Sequence, residues 1–336
     1  MKAIAAGFLA FLLSVPLQSQ PCIEVTREVY LMGTSATLTS CATSRESGLS
    51  QIEALLRILE EAERELSTWI PESAMSELNR SPVGNRFQLN HRLTSLFADL
   101  FRWKSKTGGA FDPGVGPLTE AWGIHGEGRR PSSEELERAL SRTGIAHLDF
   151  NPTQQWIVRK SEVTIDVGAF GKGEGLDRAV EYATDHQFDP FLINLGGQIA
   201  VYGIPSGRTA WAVDIAHPQE RQRSALSVDL RAGSISTSAG SERDVHLVDG
   251  ERIGHHVDPR TGQTVISNVS VSVWHERALV ADILSTALFV MGPKQGFAWA
   301  EAHGIAGCFL IPGSDGKIQI KATRTWKVNL HHQIRP

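Results

Sequence analysis

The chain has 336 residues, 41% hydrophobic and 21% charged, enough to bury a large core in one or two domains. A formal charge of −4 argues against a nucleic-acid binder, which would carry a basic face. The sequence contains no internal repeat and no low-complexity tract. Met1-Lys2 and the apolar run over residues 3–13 have the pattern of a secretory leader: one positive charge, then eleven apolar residues, too short to span a bilayer as a helix. We therefore expect residues 1–19 to be a signal peptide cleaved near Ser19, and the mature chain to be exported, to the periplasm where the cell has one. Loss of Lys2 takes 33 basic residues to 32 against 37 acidic ones, a mature charge of −5. Export makes the three cysteines relevant. Cys22 and Cys41 flank a short strand pair and could form a disulfide; an odd count permits one at most within the chain. Lipid attachment at Cys22 is the lesser alternative, because Ser19-Gln20-Pro21 lacks the usual small residue before it.

Residues 29–40 read as a strand interrupted at Met32-Gly33-Thr34, where Gly33 suggests a bulge or a close backbone approach. Residues 49–66 form an amphipathic helix with Ile52, Leu55, Leu56, Leu59, Ala62 and Leu66 on one stripe. Pro71 ends it and leaves Trp69 near a loop. Residues 93–106 are helical, and the four glycines and two prolines of residues 107–118 mark a constrained loop. Another helix opens at residues 118–122, and residues 131–142 make a surface helix capped by Ser132 or Ser133.

Residues 163–167 alternate like a strand and feed Gly168-Ala169-Phe170-Gly171-Lys172-Gly173-Glu174-Gly175, then a helix through Leu176, Ala179, Val180 and Ala183. Such a turn offers backbone N–H groups and a helix N-terminus to an anion. It is not a dinucleotide fingerprint, which would need glycine at Leu176, nor a P-loop, because Gly173 follows Lys172. A buried strand at residues 191–194 ends in Leu195-Gly196-Gly197-Gln198, and residues 211–215 and 225–230 alternate as strands. His256 precedes an Asp258-Pro259-Arg260-Thr261-Gly262 turn and is either a core histidine or a ligand contact. His275-Glu276 lacks the second histidine that a zinc-protease helix would place at Leu279. Cys308 lies in the apolar run 305–311 and reads as a core thiol on a buried strand.

Residues 278–292 are the anomaly. Val280, Leu284, Ala287 and Met291 recur at helical spacing, Ile283 and Val290 add apolar surface on another side, and Gly292-Pro293 supplies the stop. A carboxylate at Asp282 on so apolar a helix needs a partner. Thr286 lies one turn later on the same face, so the two offer oxygens to one point, as a hard cation beside a phosphate requires. Taken alone, the helix favours the plainer reading, an aspartate capping a neighbouring loop with Thr286 bonding back to its own helix.

In this order the segments resemble the ApbE family of FAD:protein FMN transferases, from about Val29 to about Pro312. The resemblance rests on Met32-Gly33-Thr34, Leu66-Ser67-Thr68-Trp69, Gly109-Ala110-Phe111-Asp112-Pro113, Ile165-Asp166-Val167-Gly168-Ala169-Phe170-Gly171-Lys172-Gly173, Asn194-Leu195-Gly196-Gly197, His256-Val257-Asp258-Pro259-Arg260-Thr261-Gly262, and the run from Ala281-Asp282 to Gly292. Each is weak singly, but seven in sequence are strong. The resemblance implies an α+β, T-fold-like architecture of mixed sheets with packed helices. One such domain would span residues 29–312, with residues 313–336 as its C-terminal extension and FAD in a central cleft.

It further implies that magnesium is held by Asp282, Thr286 and the main-chain oxygen of Ala169, and that Met32 and Trp69 line the flavin site. Ala110, Phe111 and Asp112 would wall the FAD, and Asp166, Lys172 and His256 would contact it. The reaction implied moves FMN from FAD, the substrate, to a Ser or Thr hydroxyl of an acceptor flavoprotein and releases AMP; acceptors in such families are often subunits of membrane redox complexes. His256 and Asp282 are the candidate catalytic groups, with His256 or a metal-bound carboxylate as base. The alternatives are a magnesium-dependent FAD pyrophosphatase and a non-catalytic exported FAD-binding protein. Trp69 stands where tyrosine is usual in the family, Gly108 where aspartate is common, Gly114 where threonine is, Gln198 where an acid is, and Ala239 where glycine is.

Overall fold

A computed structural model describes residues 22–240, 244–246 and 252–334; the leader expected at residues 1–19 lies outside the described residues. The chain opens with a hairpin of β1 (Ile23–Leu31) and β2 (Thr34–Ala42). The interrupted strand expected over residues 29–40 is therefore two strands. Met32 and Gly33 both have positive φ, 50° and 70°, as a two-residue hairpin turn of this hand requires. Nothing lies within 4 Å of where a Gly33 Cβ would sit, so the glycine answers to its φ and not to a close approach.

Next come α1 (Arg45–Leu66), α2 (Ala74–Arg80), β3 (Arg86–Gln88), α3 (His91–Lys106), α4 (Gly116–Ala121), α5 (Ser133–Arg142), β4 (Leu148–Asn151) and β5 (Trp156–Arg159). Side-chain oxygens start four of these helices: Ser44 accepts from Ser47 N–H, Ser73 from Ser76 N–H, Asn90 from Leu93 N–H, and Ser132 from Glu135 N–H with the reciprocal capping-box bond. The chain continues through α6 (Gly171–Asp185), β6 (Phe191–Leu195), β7 (Gln198–Tyr202), β8 (Trp211–Ala216), β9 (Ser224–Leu230), β10 (Gly233–Ala239), β11 (Val245–His246), β12 (Arg252–Ile253) and β13 (Ser270–His275). It closes with α7 (Ala278–Ala302), β14 (Ala306–Pro312), β15 (Ile318–Ala322), α8 (Arg324–Asn329) and β16 (His331–Ile334).

The architecture is the expected α+β arrangement of sheets with packed helices. Eight antiparallel strands form the main sheet in the order β1-β2-β6-β7-β10-β13-β14-β15. Alternation along each strand divides the apolar residues between its faces. Ala36, Leu38, Ile193, Leu195 and Ala200 pack with Leu55, Leu59, Leu176 and Ala179 of α1 and α6. Val271, Val273 and Phe309 pack with α7. Cys41, Val201, Ile235, Cys308 and Leu310 face the other way, onto the small sheet β16-β9-β8 and the buried Trp326 of α8. Beyond residue 312, β15 pairs with β14 and β16 with β9.

Two further expected elements differ. Residues 163–167 run extended and bury Val163 and Ile165, but they join no ladder. Asn79 brackets Ile165 through both main-chain groups, Asp166 N–H donates to the Pro113 carbonyl, and Gly116 N–H donates to Thr164. Alternation reports burial of every second side chain, not what the backbone bonds to. The helix at Ala278 does break at Gly292, where φ is 76° and ψ is 170°, but Pro293 then opens a further helical stretch to Ala302.

Cys22 and Cys41 are joined, with Cα atoms 5.2 Å apart, across the open end of the first hairpin. Cys308 is the free cysteine and is buried, which pushes its thiol up to about 12. A bridge between cysteines 19 positions apart is worth about 3 kcal/mol by loop-closure entropy. We expect C22S/C41S to melt several degrees below wild type, and reductant to lower the wild-type melting temperature while leaving the variant's unchanged. Equal melting of the two proteins without reductant would show that the hairpin needs no staple.

Candidate active site

The fold encloses a cleft of about 1040 Å³. Its wall draws on the residues after the first hairpin turn, the 110–112 loop, the start of α6, the β6–β7 turn, β8, β10, the 255–259 loop and α7. Nine residues named from the sequence line it: Ala110, Phe111, Asp112, Asp166, Ala169, Lys172, His256, Asp282 and Thr286.

Asp282 is 3% exposed and fully engaged. Its Oδ2 accepts from Gly173 N–H at 3.1 Å, its Oδ1 accepts from Ser236 Oγ at 3.1 Å, and Lys172 Nζ lies 3.7 Å from Oδ1. The Gly173 bond has a local cause. Phe170, at the cap of α6, has no side-chain oxygen to satisfy the first-turn N–H groups, so a carboxylate from α7 does it instead. The approach is close: a Cβ on Gly173 would lie 2.6 Å from the Ala278 carbonyl oxygen and 2.9 Å from Asp282 Cβ. Behind Asp282 the hydroxyls of Ser236, Ser238 and Ser285 form a buried chain, and Ser238 Oγ reaches Thr286 Oγ1 at 3.4 Å.

These groups fit a hard divalent cation. Asp282, Thr286 and the Ala169 carbonyl are oxygen donors. In a regular helix Gly173 N–H would point back to the Ala169 carbonyl, but it is given to Asp282. Among the described residues no group of three or more His, Cys, Asp or Glu could hold a metal.

The remaining lining residues divide by what they bond. Asp112 Oδ1 accepts from Gly114 and Ile145 N–H at 2.9 Å each, so its carboxylate ties loops together; burial nonetheless holds its pKa above the usual range. Asp166 faces His125, with Nε2 to Oδ2 at 2.8 Å, and its Oδ1 accepts from Gly168 N–H. Burial alone would raise Asp166, but the bonds from His125, Gly168 and Thr119 keep it below the ordinary carboxylate value. The His256 ring lies tilted against His255, with centroids 4.0 Å apart, and against Phe289, with centroids 4.8 Å apart. His255 is in turn fixed by Asp244, which accepts its main-chain N–H and lies 2.6 Å from its Nδ1.

Met32 and Trp69 do not line the cleft. Met32 turns its thioether towards α6, next to Gly175. Trp69 is 71% exposed at the rim, edge-on to His125 with ring centroids 5.6 Å apart. Two of the departures from the family pattern have local reasons. Gly114 leaves no room for a side chain, because its Cβ would lie 2.5 Å from Gly144. Gln198 donates from Nε2 to the Ala278 carbonyl and leaves Oε1 buried without a partner. Sequence reasoning missed His125, His255, Asp244 and the serines behind Asp282. His125 and Asp166 are 41 positions apart, and no spacing signal joins them.

The ApbE family profile matches residues 32–309. An FAD:protein FMN transferase of Vibrio cholerae is 29% identical over 306 residues, 88% of this chain and 91% of that one. One from Escherichia coli is 30% identical over 249 residues, 72% and 71% of the two chains. The solved flavin transferase ApbE of Vibrio cholerae superposes with a TM-score of 0.80 at 28% identity, covering 92% of this chain and 99% of its own. The ApbE protein of Thermotoga maritima gives 0.82 at 28% identity, covering 91% and 99%.

Proposed function

This chain belongs to the ApbE family, and on that premise we propose that it transfers FMN from FAD to a Ser or Thr hydroxyl of a partner protein and releases AMP. The observation that carries this is the buried Asp282 on the cleft wall, with Lys172 3.7 Å away and Thr286 one helical turn on. The acceptor oxygen forms a bond to the FMN phosphorus, the bond from that phosphorus to the bridging oxygen breaks, and AMP leaves with that oxygen. Lys172 and the N-terminus of α6 offer positive charge to the pyrophosphate. Asp282, Thr286 and the Ala169 carbonyl would hold magnesium, which when bound neutralises phosphate charge and favours the phosphoryl-transfer transition state. His256 is our candidate for the group that takes the hydroxyl proton, since an imidazole suits that task near neutral pH and its ring stands on the cleft wall.

We place the protein outside the cytoplasm. The leader pattern and the Cys22–Cys41 pair both support this, and a bridged Cys22 has no thiol to give to a lipid. The acceptor is a flavoprotein with an exposed Ser or Thr, and a membrane redox-complex subunit fits an exported transferase. Mixing the protein with FAD, magnesium and a Ser- or Thr-containing acceptor peptide tests the function. Covalent flavin on the peptide is the expected result. Free FMN and AMP instead would mark a pyrophosphatase, and unchanged FAD a protein that only holds it.

A further inference from the structure

At the rim, His125 is held from two sides. Nε2 lies 2.8 Å from Asp166 Oδ2, and the Trp69 ring meets the imidazole edge-on at 82°. An ionised aspartate only accepts, so Nε2 is the nitrogen that carries the proton, and the charge state of the ring is read at Nδ1. Protonated, Nδ1–H is a donor; neutral, it is an acceptor. The cleft that His125 lines also carries apolar residues, among them Ala110, Phe111, Val115 and Ile124. An apolar wall with one oriented polar group is how sites seat a planar ring and fix which way it faces. The positive charge proposed for the pyrophosphate belongs to other lining groups, Lys172 and the start of α6.

We propose that His125, oriented by Asp166 and braced by Trp69, is a substrate-binding residue that donates its Nδ1 proton to an acceptor atom of a planar ring of the dinucleotide. This rests on the reading of the cleft as an FAD site. Flavin and adenine rings both carry such acceptors, and the two are separated by the ligands used below. The bond to Asp166 keeps His125 protonated to higher pH than an ordinary histidine, outweighing the opposing effect of burial. Asp112, Lys172 and Asp282 share the cleft wall, with Asp214 and Arg221 on its β8–β9 side. His217, His255 and His256 also line it, so a pH step belongs to His125 only if removing that ring removes the step.

The test is the dissociation constant of FAD, FMN and ADP for wild type, H125A and H125Q between pH 5.5 and 9, by calorimetry without turnover. For wild type, FAD binding should weaken about tenfold as pH rises through the His125 titration, which lies above that of an ordinary histidine because of the bond to Asp166. H125A should bind FAD about tenfold more weakly at pH 6 and lose the step. H125Q keeps a neutral donor and should recover part of the affinity without the step. The loss should appear with FMN if the flavin sits against His125, and with ADP if the adenine does. Wild-type affinity of H125A for all three ligands at pH 6, or an unchanged step in H125A, would overturn the assignment. Failure of wild type to bind any of the three would instead overturn the FAD reading itself, and this inference with it.

Discussion

Asp282→Asn is expected to fold and to lose FMN transfer by several orders of magnitude. The substitution keeps the shape of the side chain. One amide oxygen can still accept from Gly173 N–H, and the amide nitrogen can face the Ser236 hydroxyl, which also accepts. The cap on α6 therefore survives in part, and the stability cost should stay near about 1 kcal/mol. What disappears is the negative charge opposite Lys172 and the hard anionic ligand for magnesium. Metal-held charge stabilisation is worth several kcal/mol, and about 1.4 kcal/mol is a factor of ten in rate. Thr286→Val removes a neutral, weaker ligand and should cost less. Extra magnesium should restore much of the Thr286→Val rate and little of the Asp282→Asn rate. Magnesium with FAD should raise the wild-type melting temperature and leave that of Asp282→Asn nearly unmoved. FMN transfer to an acceptor peptide across a magnesium titration, with a melting curve for each variant, decides it. A normally folded Asp282→Asn protein working at the wild-type rate would leave this carboxylate as a helix cap and nothing more.

That alternative is physically reasonable, because the capping contact is present. The sequence made Asp282 conspicuous as a carboxylate on an otherwise apolar helix, and the need for a partner followed from burial. The identity of the partner did not. Gly173 lies 109 positions away, and only the packing of α6 on α7 brings its N–H to the carboxylate. The same division runs through the fold. The helices α1, α3 and α6 are local objects legible from their own stretch of sequence, although the caps at Ser44 and Asn90 start α1 and α3 earlier than the residues 49 and 93 read from the sequence. The order of the main sheet is not local: β2 pairs with β6 across six intervening helices, and β16 returns to β9. The β1–β2 turn was hidden because Met32 takes a positive φ that its residue type does not advertise. Residues 163–167 carry the alternation of a strand, and a loop-bonded extended segment carries the same alternation. In the site, the family motifs marked nine residues that line one cleft. Asp166 is one of them, but its partner His125 lay outside those motifs, and the pair depends on two loops meeting.

Gly173→Ala is expected to damage both stability and turnover, whereas its neighbours in the same glycine-rich run should tolerate alanine. Helix propensity alone would favour the change by up to about 1 kcal/mol, since glycine is the poorer helix former. Packing opposes it. The new methyl would lie 2.6 Å from the Ala278 carbonyl oxygen, 2.7 Å from Leu279 Cα and 2.9 Å from Asp282 Cβ. These are backbone atoms and a Cβ, which cannot swing aside, so α6 and α7 must part. Overpacking of this kind costs about 1–3 kcal/mol, enough to outweigh the propensity gain. Parting the helices also draws Asp282 away from Gly173 N–H and Lys172, and misplacement by about an ångström can cost a hundredfold in rate. At Gly175 the methyl would meet only the ends of Met32 and Leu59 at 3.3 and 3.5 Å, and at Gly171 it would touch Val167 at 3.5 Å. Those side chains can give, so Gly171→Ala and Gly175→Ala should melt at or near the wild-type temperature. Melting curves and FMN-transfer rates of the three single variants make the comparison. If Gly173→Ala proved as stable and as active as the other two, the close contact of α6 with α7 would not be what holds Asp282 in place.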